Sequence, residues 1–412
     1  MKVLFVGLLY NPCVEDELLR ASPKGLSVAS NIFQWNVIRG LYEILGDDLE
    51  VAASLPIGSW PFRSKVMRVR HRIQMYRNIS YKEYGFINLS LVKTINREKS
   101  FYNHILDWDS HYTDEGKCIL VYDMHPDICG ALLKIKNQNS GIKLIFIIPD
   151  LYGKLRNAQG FGEIKSKIIS VFLRDALRAV QRADGYVFLT EQMGEVINKN
   201  RKPSIVIDGI VDDATNVQHI SRVSTKQGRQ RVFIYAGALM KQYNIIQLMD
   251  IFHELGKKYD IKLYLCGFGD AVEEIIRYAN RDSNIRYLGF VTKEKLRLIE
   301  EDVDVYINPR TNNGEYTKYS FPSKNLEYLL AGKPVIAFKL DGMSDEYDGV
   351  FLYPAGETIE SIRDEVVKVC GMTEDELHLI GQRSREFVLE HNGVKYQAER
   401  LCKFLSDIIG SQ

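Results

Sequence analysis

The sequence has no Cys-x-x-Cys pair, and its six cysteines (Cys13, Cys118, Cys129, Cys266, Cys370 and Cys402) are widely scattered. That spacing argues against a zinc site. Several fall inside apolar runs, where cysteine serves as a small core residue, and this usage suits a reducing compartment. Charge of one sign is also lacking. Lys and Arg total 54 against 53 Asp and Glu, a formal net charge of +1, so the total does not predict nucleic-acid binding. No apolar run approaches the ~18 residues of a membrane span. The N-terminus, Lys2-Val-Leu-Phe-Val-Gly7, runs straight into a glycine loop. It reads as a first β-strand, not as a signal peptide. What is present is an ordinary globular composition, 45% hydrophobic over 412 residues. That length suits two domains of about 200 residues each.

Apolar runs alternate with helical periodicity along the chain. Strands are predicted at Val3–Leu8, Val51–Leu55, Phe86–Leu91, Cys118–Tyr122, Leu144–Ile148, Gly185–Leu189 and Ile205–Ile207. A long helix is predicted over Val28–Leu45. Alternating strand and helix imply a parallel sheet covered on both faces, with ligands beyond the carboxyl ends of the strands. Two such ends carry titratable groups: Asp123-Met-His125-Pro-Asp127, and Pro149-Asp150. Asp127 also suits a helix cap. From Asp212 to Gln230 the chain turns polar and reads as an interdomain linker. A second series restarts with a strand at Val232–Ala236 and a helix over 244–256. It ends with a strand at Val350–Tyr353 and helices at Ile359–Val369, Glu374–Leu389 and Val394–Ile409. Asp302-x-Asp304 and Asp107-x-Asp109 read as surface pairs, and no metal is expected.

Two stretches are strongly basic. From Arg63 to Arg77 there is no acid, and Arg63, Lys65, Arg68, Arg70, Arg72 and Arg77 interleave with Val66, Met67, Val69, Ile73 and Met75. Read as a helix, this segment presents a basic side with some apolar surface. It suits either a solvated surface or contact with anionic lipid. A second such run spans Lys165 to Arg182.

The most informative stretch is Tyr306 to Phe338, predicted as strand, polar loop, helix from Ser323 to Leu330, tight exit at Gly332-Lys-Pro334, and strand. A helix opening just after a strand presents unpaired N–H groups that attract phosphate. Lys324 lies in its first turn, Arg310 where the preceding strand ends, and Glu327 about one turn further in. Two cations suit a diphosphate, and one carboxylate suits the hydroxyls of a ribose. The same residues also suit an ordinary β-α-β unit with surface charges.

Glu327 with Ala331-Gly-Lys-Pro-Val335, and Tyr-Ser-Phe-Pro-Ser-Lys-x-x-Glu-Tyr from Tyr319 to Tyr328, resemble the donor-binding segment of family 4 glycosyltransferases. The form is similar to the branch that builds bacterial capsular and exopolysaccharides. The likeness is good over roughly 231–355 and continues more weakly toward the N-terminus. It implies an α/β protein of the GT-B fold: two Rossmann-like domains facing a cleft, with a C-terminal helix crossing back to the first. The implied domains are 1–212 for the acceptor, rejoined by about 390–412, a linker at 213–230, and 231–389 for the nucleotide sugar.

The resemblance also implies site residues. Arg310 and Lys324, with the amides from Ser323, would hold the diphosphate. Glu327 would hold the ribose, and Phe290-Val291 the base corner. Asp150 or His125 would orient the acceptor hydroxyl, and Asn31 and Gln34 could touch sugar or lie on the helix surface. The family's Gly-Arg-Leu-x-x-x-Lys-Gly loop is matched at Gly237 and Leu239. Ala238 fills the Arg slot, Tyr243 the Lys slot and Asn244 the second Gly slot, with Lys241 close in sequence. Tyr319 fills the slot of the family's other acid. Glu315 could fold in from its loop, or Ser320 donate a hydrogen bond instead.

The implied activity is that of a retaining, metal-independent glycosyltransferase with no bound cofactor. It would take a nucleoside-diphosphate sugar to a glycan or lipid-linked acceptor in surface polysaccharide synthesis. It would work in the cytoplasm, peripherally on the inner face of the cytoplasmic membrane. The alternatives are an inverting transferase with His125 or Asp150 as base, and a silent subunit that binds a partner transferase.

Overall fold

A computed structural model describes residues 1–22, 26–113, 116–139, 141–151, 174–212, 230–291 and 293–411. Residues 213–229 of the sequence-predicted linker and the first half of the Lys165–Arg182 run, 165–173, lie outside the described residues. The chain divides into two compact units: Met1–Ile210 with Val394–Gln412, and Val211–Gly393.

The first unit is built on an eight-stranded sheet of order β10-β9-β8-β7-β1-β2-β5-β4. Its strands are β1 (Lys2–Leu8), β2 (Leu49–Ser54), β4 (Arg72–Tyr76), β5 (Ile79–Glu83), β7 (Lys117–Tyr122), β8 (Lys143–Ile148), β9 (Gly185–Phe188) and β10 (Ser204–Val206). A separate two-stranded ribbon pairs β3 (Arg68–Val69) with β6 (Phe86–Ile87). The central strands are parallel and buried along nearly their whole length, which is why they read as unbroken apolar runs. Helix Val28–Leu45 starts at Ser27, whose hydroxyl accepts from the Ser30 N–H at 3.3 Å. The last helix, Val394–Gly410, packs on it: a Cβ at Gly40 would lie 2.6 Å from that of Ala398. Only glycine allows so close an approach.

Several predictions of the sequence reading are corrected here. The basic stretch is no helix. β4 and β5 form an antiparallel hairpin around Arg77-Asn78, both with positive φ (47° and 63°). The spacing of Val69, Ile73 and Met75 fits a period of two, and Asn tolerates the left-handed turn. Phe86–Leu91 is extended only at Phe86–Ile87, because helix Ser90–His111 begins at once. Asn31 and Gln34 do not lie on the helix surface. Asn31 accepts from the Tyr10 N–H at 3.0 Å and Gln34 donates to the Leu8 carbonyl at 2.9 Å, both buried. They satisfy the backbone where β1 ends. Asp127 does not cap its helix; it forms a buried ion pair with Arg97 at 3.1 Å. Such a pair is costly to break, since removal of one partner leaves a buried charge.

The second unit carries five parallel strands in the order β13-β12-β11-β14-β15. These are β11 (Arg231–Ala238), β12 (Ile261–Phe268), β13 (Ile285–Gly289), β14 (Val305–Asn308) and β15 (Val335–Ala337). Val350–Tyr353 is not a full strand and contributes one bridge, Leu352 to Ile336. Asp304 is not a bare surface acid, because its carboxylate accepts from the Val232 N–H at 2.7 Å. The core joins these strands to helices Ile245–Leu255, Ser323–Leu330 and Ile362–Cys370.

Candidate active site

Helix Ser323–Leu330 is fixed from within. The Tyr328 hydroxyl donates to the Ala236 carbonyl at 2.8 Å and accepts from the Ala236 N–H at 3.0 Å. Its ring stacks on Tyr306, centroids 4.5 Å apart. Asn308, the last residue of β14, donates to Asn325 at 2.7 Å in a buried contact. The helix therefore has a set height against β11 and β14. Gly332 (φ 71°) ends it in the left-handed conformation glycine tolerates. No side chain caps its start at Pro322.

Arg310 leaves β14 beside that start. Its guanidinium donates to Ser320 Oγ at 2.9 Å and lies between two rings, 5.2 Å from the centroid of Tyr243 and 5.1 Å from that of Tyr316. Its Nε is buried without a hydrogen-bond partner. A flat cation in contact with two aromatic rings is held in orientation. Ser320 does not have a hydroxyl proton to spare, because its Oγ also donates to the Tyr316 carbonyl at 3.2 Å. Tyr319 is partly buried on the same turn, and Glu315 is exposed at its beginning rather than folded in.

Tyr243 and Asn244, in the Lys and second Gly slots of the family's loop, take up other roles. Asn244 sits at φ 60°, ψ 26°, the backbone state a glycine would take. Its amide donates to the Pro309 carbonyl at 3.0 Å and to Thr311 Oγ1 at 3.1 Å, tying this loop to the one that carries Arg310. Asn was legible as a left-handed residue. The aromatic clamp was not, because its three members come from separate segments. Asn244→Ala is expected to destabilise the protein by about 2–3 kcal/mol, combining a strained backbone with lost buried hydrogen bonds. Asn244→Gly should cost about half as much. Urea midpoints check this, and equal costs would deny the conformation a role.

The lysines are arranged differently from the expectation. Lys324 pairs with Glu327 at 2.6 Å, both about half exposed (46% and 48%). Lys241 pairs with Glu274 at 2.5 Å, and its amide donates to Asp270 at 2.8 Å. Ser323 is exposed at the helix start. Gly237 lies opposite Gly267 in the β11–β12 pairing; a Cβ on Gly267 would fall 1.9 Å from the Gly237 carbonyl oxygen. At the end of β12 and just past β13, Phe268 and Phe290 are both exposed, ring centroids 5.8 Å apart, with Val291 half-buried next to Phe290. Thr292 lies outside the described residues.

In the first unit, His125 and Asp150 follow the adjacent parallel strands β7 and β8. His125 Nε2 lies 3.2 Å from the Asp123 carboxylate. Its carbonyl accepts from the N–H groups of Ile128 and Cys129 at the helix start. Asp150 is exposed and accepts from the Leu151 N–H at 2.8 Å.

Residues 230–371 match the family model described as Glycosyl transferases group 1. No curated protein matches the chain. Among solved structures, sucrose-phosphate synthase from Thermosynechococcus elongatus is similar at 11% identity, TM-score 0.63, covering 100% of both chains. The lipopolysaccharide outer core galactosyltransferase WaaB, in apo form, gives 16% identity and TM-score 0.62, covering 99% of each. The E. coli structure titled trehalose-6-phosphate, bound with UDP-2-fluoro glucose, gives 12% identity and TM-score 0.63, covering 100% of both. The chain therefore has the GT-B fold of these neighbours, and its residues 230–371 are similar to group 1 glycosyltransferases.

Proposed function

We propose that the chain transfers a sugar, with retention of the anomeric configuration, from a nucleoside-diphosphate donor to a glycan or lipid-linked acceptor in surface polysaccharide synthesis. The observation that carries this reading is Arg310: a guanidinium held against the rings of Tyr243 and Tyr316 and bonded to Ser320, ten residues on, in the loop that leads to a helix start no side chain caps. A pyrophosphate would take hydrogen bonds from both, and charge growing on the leaving group would be stabilised in place. The leaving phosphate oxygen would take the acceptor's proton on the face the sugar departs from, so the step needs no protein nucleophile. Lys324 would exchange Glu327 for phosphate, freeing the carboxylate for ribose hydroxyls. Phe290 and Val291 would border the base, and Lys241, Tyr319 and Ser323 the phosphate side of the donor. His125 or Asp150 would orient the acceptor hydroxyl. A neighbour bound with UDP-2-fluoro glucose and another named for lipopolysaccharide core galactosyl transfer support the donor class and the setting. A cytoplasmic enzyme with a lipid-linked acceptor would work against a membrane face.

A silent, partner-binding subunit is the second reading. The carboxylate pairing of both Lys241 and Lys324 favours it. Product NMR decides the stereochemistry: retention is expected, an inverted product would make His125 or Asp150 a base, and no product with any UDP-, GDP- or ADP-sugar would favour the subunit.

A further inference from the structure

The first unit carries an exposed apolar surface that its fold does not need. Around the ribbon β3–β6, Phe62 is 94% exposed, Ile95 59% and Met67 55%, with Trp60, Ile87 and Leu91 also open to solvent. These residues are neighbours. Arg68 pairs with Ile87 across the ribbon, the Trp60 N–H donates to the Asn88 carbonyl at 2.9 Å, and the Asn88 N–H to the Met67 carbonyl at 2.8 Å. The Ile87 N–H is bound by Asn96, next to Ile95 on helix Ser90–His111, at 3.1 Å. Asn88, fully buried, donates to the carbonyls of Gly58 and Val66, both at 2.8 Å. The patch is therefore pinned from beneath, and its side chains are presented on a fixed scaffold. Apolar exposure on this scale marks an interaction surface.

The charge along the segment that carries the ribbon's first strand has one sign, while Asp16 and Glu17 are exposed on the neighbouring helix Glu15–Ala21. Arg63, Lys65, Arg68 and Arg70 are exposed, and none forms an ion pair among the described residues. No Asp or Glu occurs from Val51 to Lys82. Glu83, the first acid beyond, is buried and taken by Arg72 at 2.6 Å. A protein partner buried against large apolar side chains would have to dehydrate these cations, whereas a lipid headgroup layer accepts both kinds of group at different depths. Aromatic and aliphatic tips enter the acyl boundary, while Arg and Lys stay at the phosphates.

We propose that this surface docks the first unit on a bilayer containing anionic lipid, through Phe62, Met67 and Ile95 as apolar anchors and Arg63, Lys65, Arg68 and Arg70 as headgroup contacts. Each cation near an anionic surface strengthens partitioning about fivefold. The inference stands apart from the donor-site reading, because vesicle binding needs no nucleotide.

The test uses the whole chain with vesicles of phosphatidylcholine alone or mixed with phosphatidylglycerol. Co-sedimentation should be at least about tenfold stronger with the anionic lipid. Trp60 reports directly, since Trp35 and Trp108 are buried and Trp60 is 37% exposed. Its emission should shift to the blue with anionic vesicles, and the shift should vanish in Trp60→Phe. Phe62→Ser with Ile95→Ser should cut binding at least about tenfold, and Arg68→Glu with Arg70→Glu should abolish the preference for anionic lipid, with Tm unchanged in both. Equal sedimentation with both vesicle types would overturn the proposal. So would binding that survives both double variants, or gel filtration showing a dimer that Phe62→Ser with Ile95→Ser dissolves.

Discussion

Arg310→Ala is expected to lower turnover by about a hundredfold to a thousandfold, the loss seen when one preorganised donor to a developing anion is removed. The fold should hardly notice, because Arg310 makes one side-chain hydrogen bond, to Ser320, and otherwise lies between rings. Arg310→Lys tests orientation separately from charge. An ammonium keeps the positive charge but has neither a flat face for Tyr243 and Tyr316 nor a fork of donors. It should recover less than about a tenth of wild-type turnover if the clamped geometry matters. Tyr243→Phe keeps the aromatic face and should stay close to wild type, whereas Tyr243→Leu should fall toward Arg310→Lys. Rates come from turnover of whichever nucleotide sugar raises Tm, since a ligand of the folded state stabilises it. Near wild-type turnover in Arg310→Ala would remove the guanidinium from the mechanism.

Gly267→Ala is expected to cost the second unit more than about 4 kcal/mol, enough to leave it largely unfolded. Two effects coincide. The backbone sits at φ 137°, and an added Cβ would lie 1.9 Å from the Gly237 carbonyl oxygen and 3.0 Å from its carbon, main-chain atoms that cannot swing aside. These two glycines are partners in the central pairing of β11 and β12, so relief would have to come from the sheet. Gly349→Ala is the control: φ is 82°, but no atom lies within 4 Å of the added Cβ. It should cost only the left-handed strain, about 1–2 kcal/mol. If the two variants unfold alike in urea, the close approach of the strands contributes nothing.

What the sequence revealed and what it hid follow from the same physics. Helix Val28–Leu45 was legible with its observed bounds, because apolar spacing and the Ser27 cap act locally. The parallel strands were legible because burial on both faces leaves an unbroken apolar run. The segment from Arg63 to Arg77 misled because its arginines fit either periodicity, while the strand signal depends on the left-handed turn at Arg77-Asn78 that pairs β4 with β5. Asn31 and Gln34 looked like surface residues because a polar side chain gives no sign that it will serve buried backbone groups at the end of β1. Within the candidate site, Arg310, Lys324 and Glu327 stood out by position in one β-α stretch. The Lys324–Glu327 pairing, at three residues' separation on a helix, could have been read from the sequence. The Tyr243–Arg310–Tyr316 sandwich could not, since it depends on how three segments meet. Tyr243, counted as a lost lysine, is better understood as the support of the arginine that remains.

The most direct test is calorimetric titration of UDP, GDP and ADP, each beside its nucleoside, into wild-type protein and Arg310→Ala. One diphosphate should bind the wild type, and Arg310→Ala should weaken it by about 10- to 150-fold, the value of a charge-assisted hydrogen bond, with the nucleoside unaffected. A diphosphate that binds both proteins equally well would show that the pyrophosphate does not rest on Arg310.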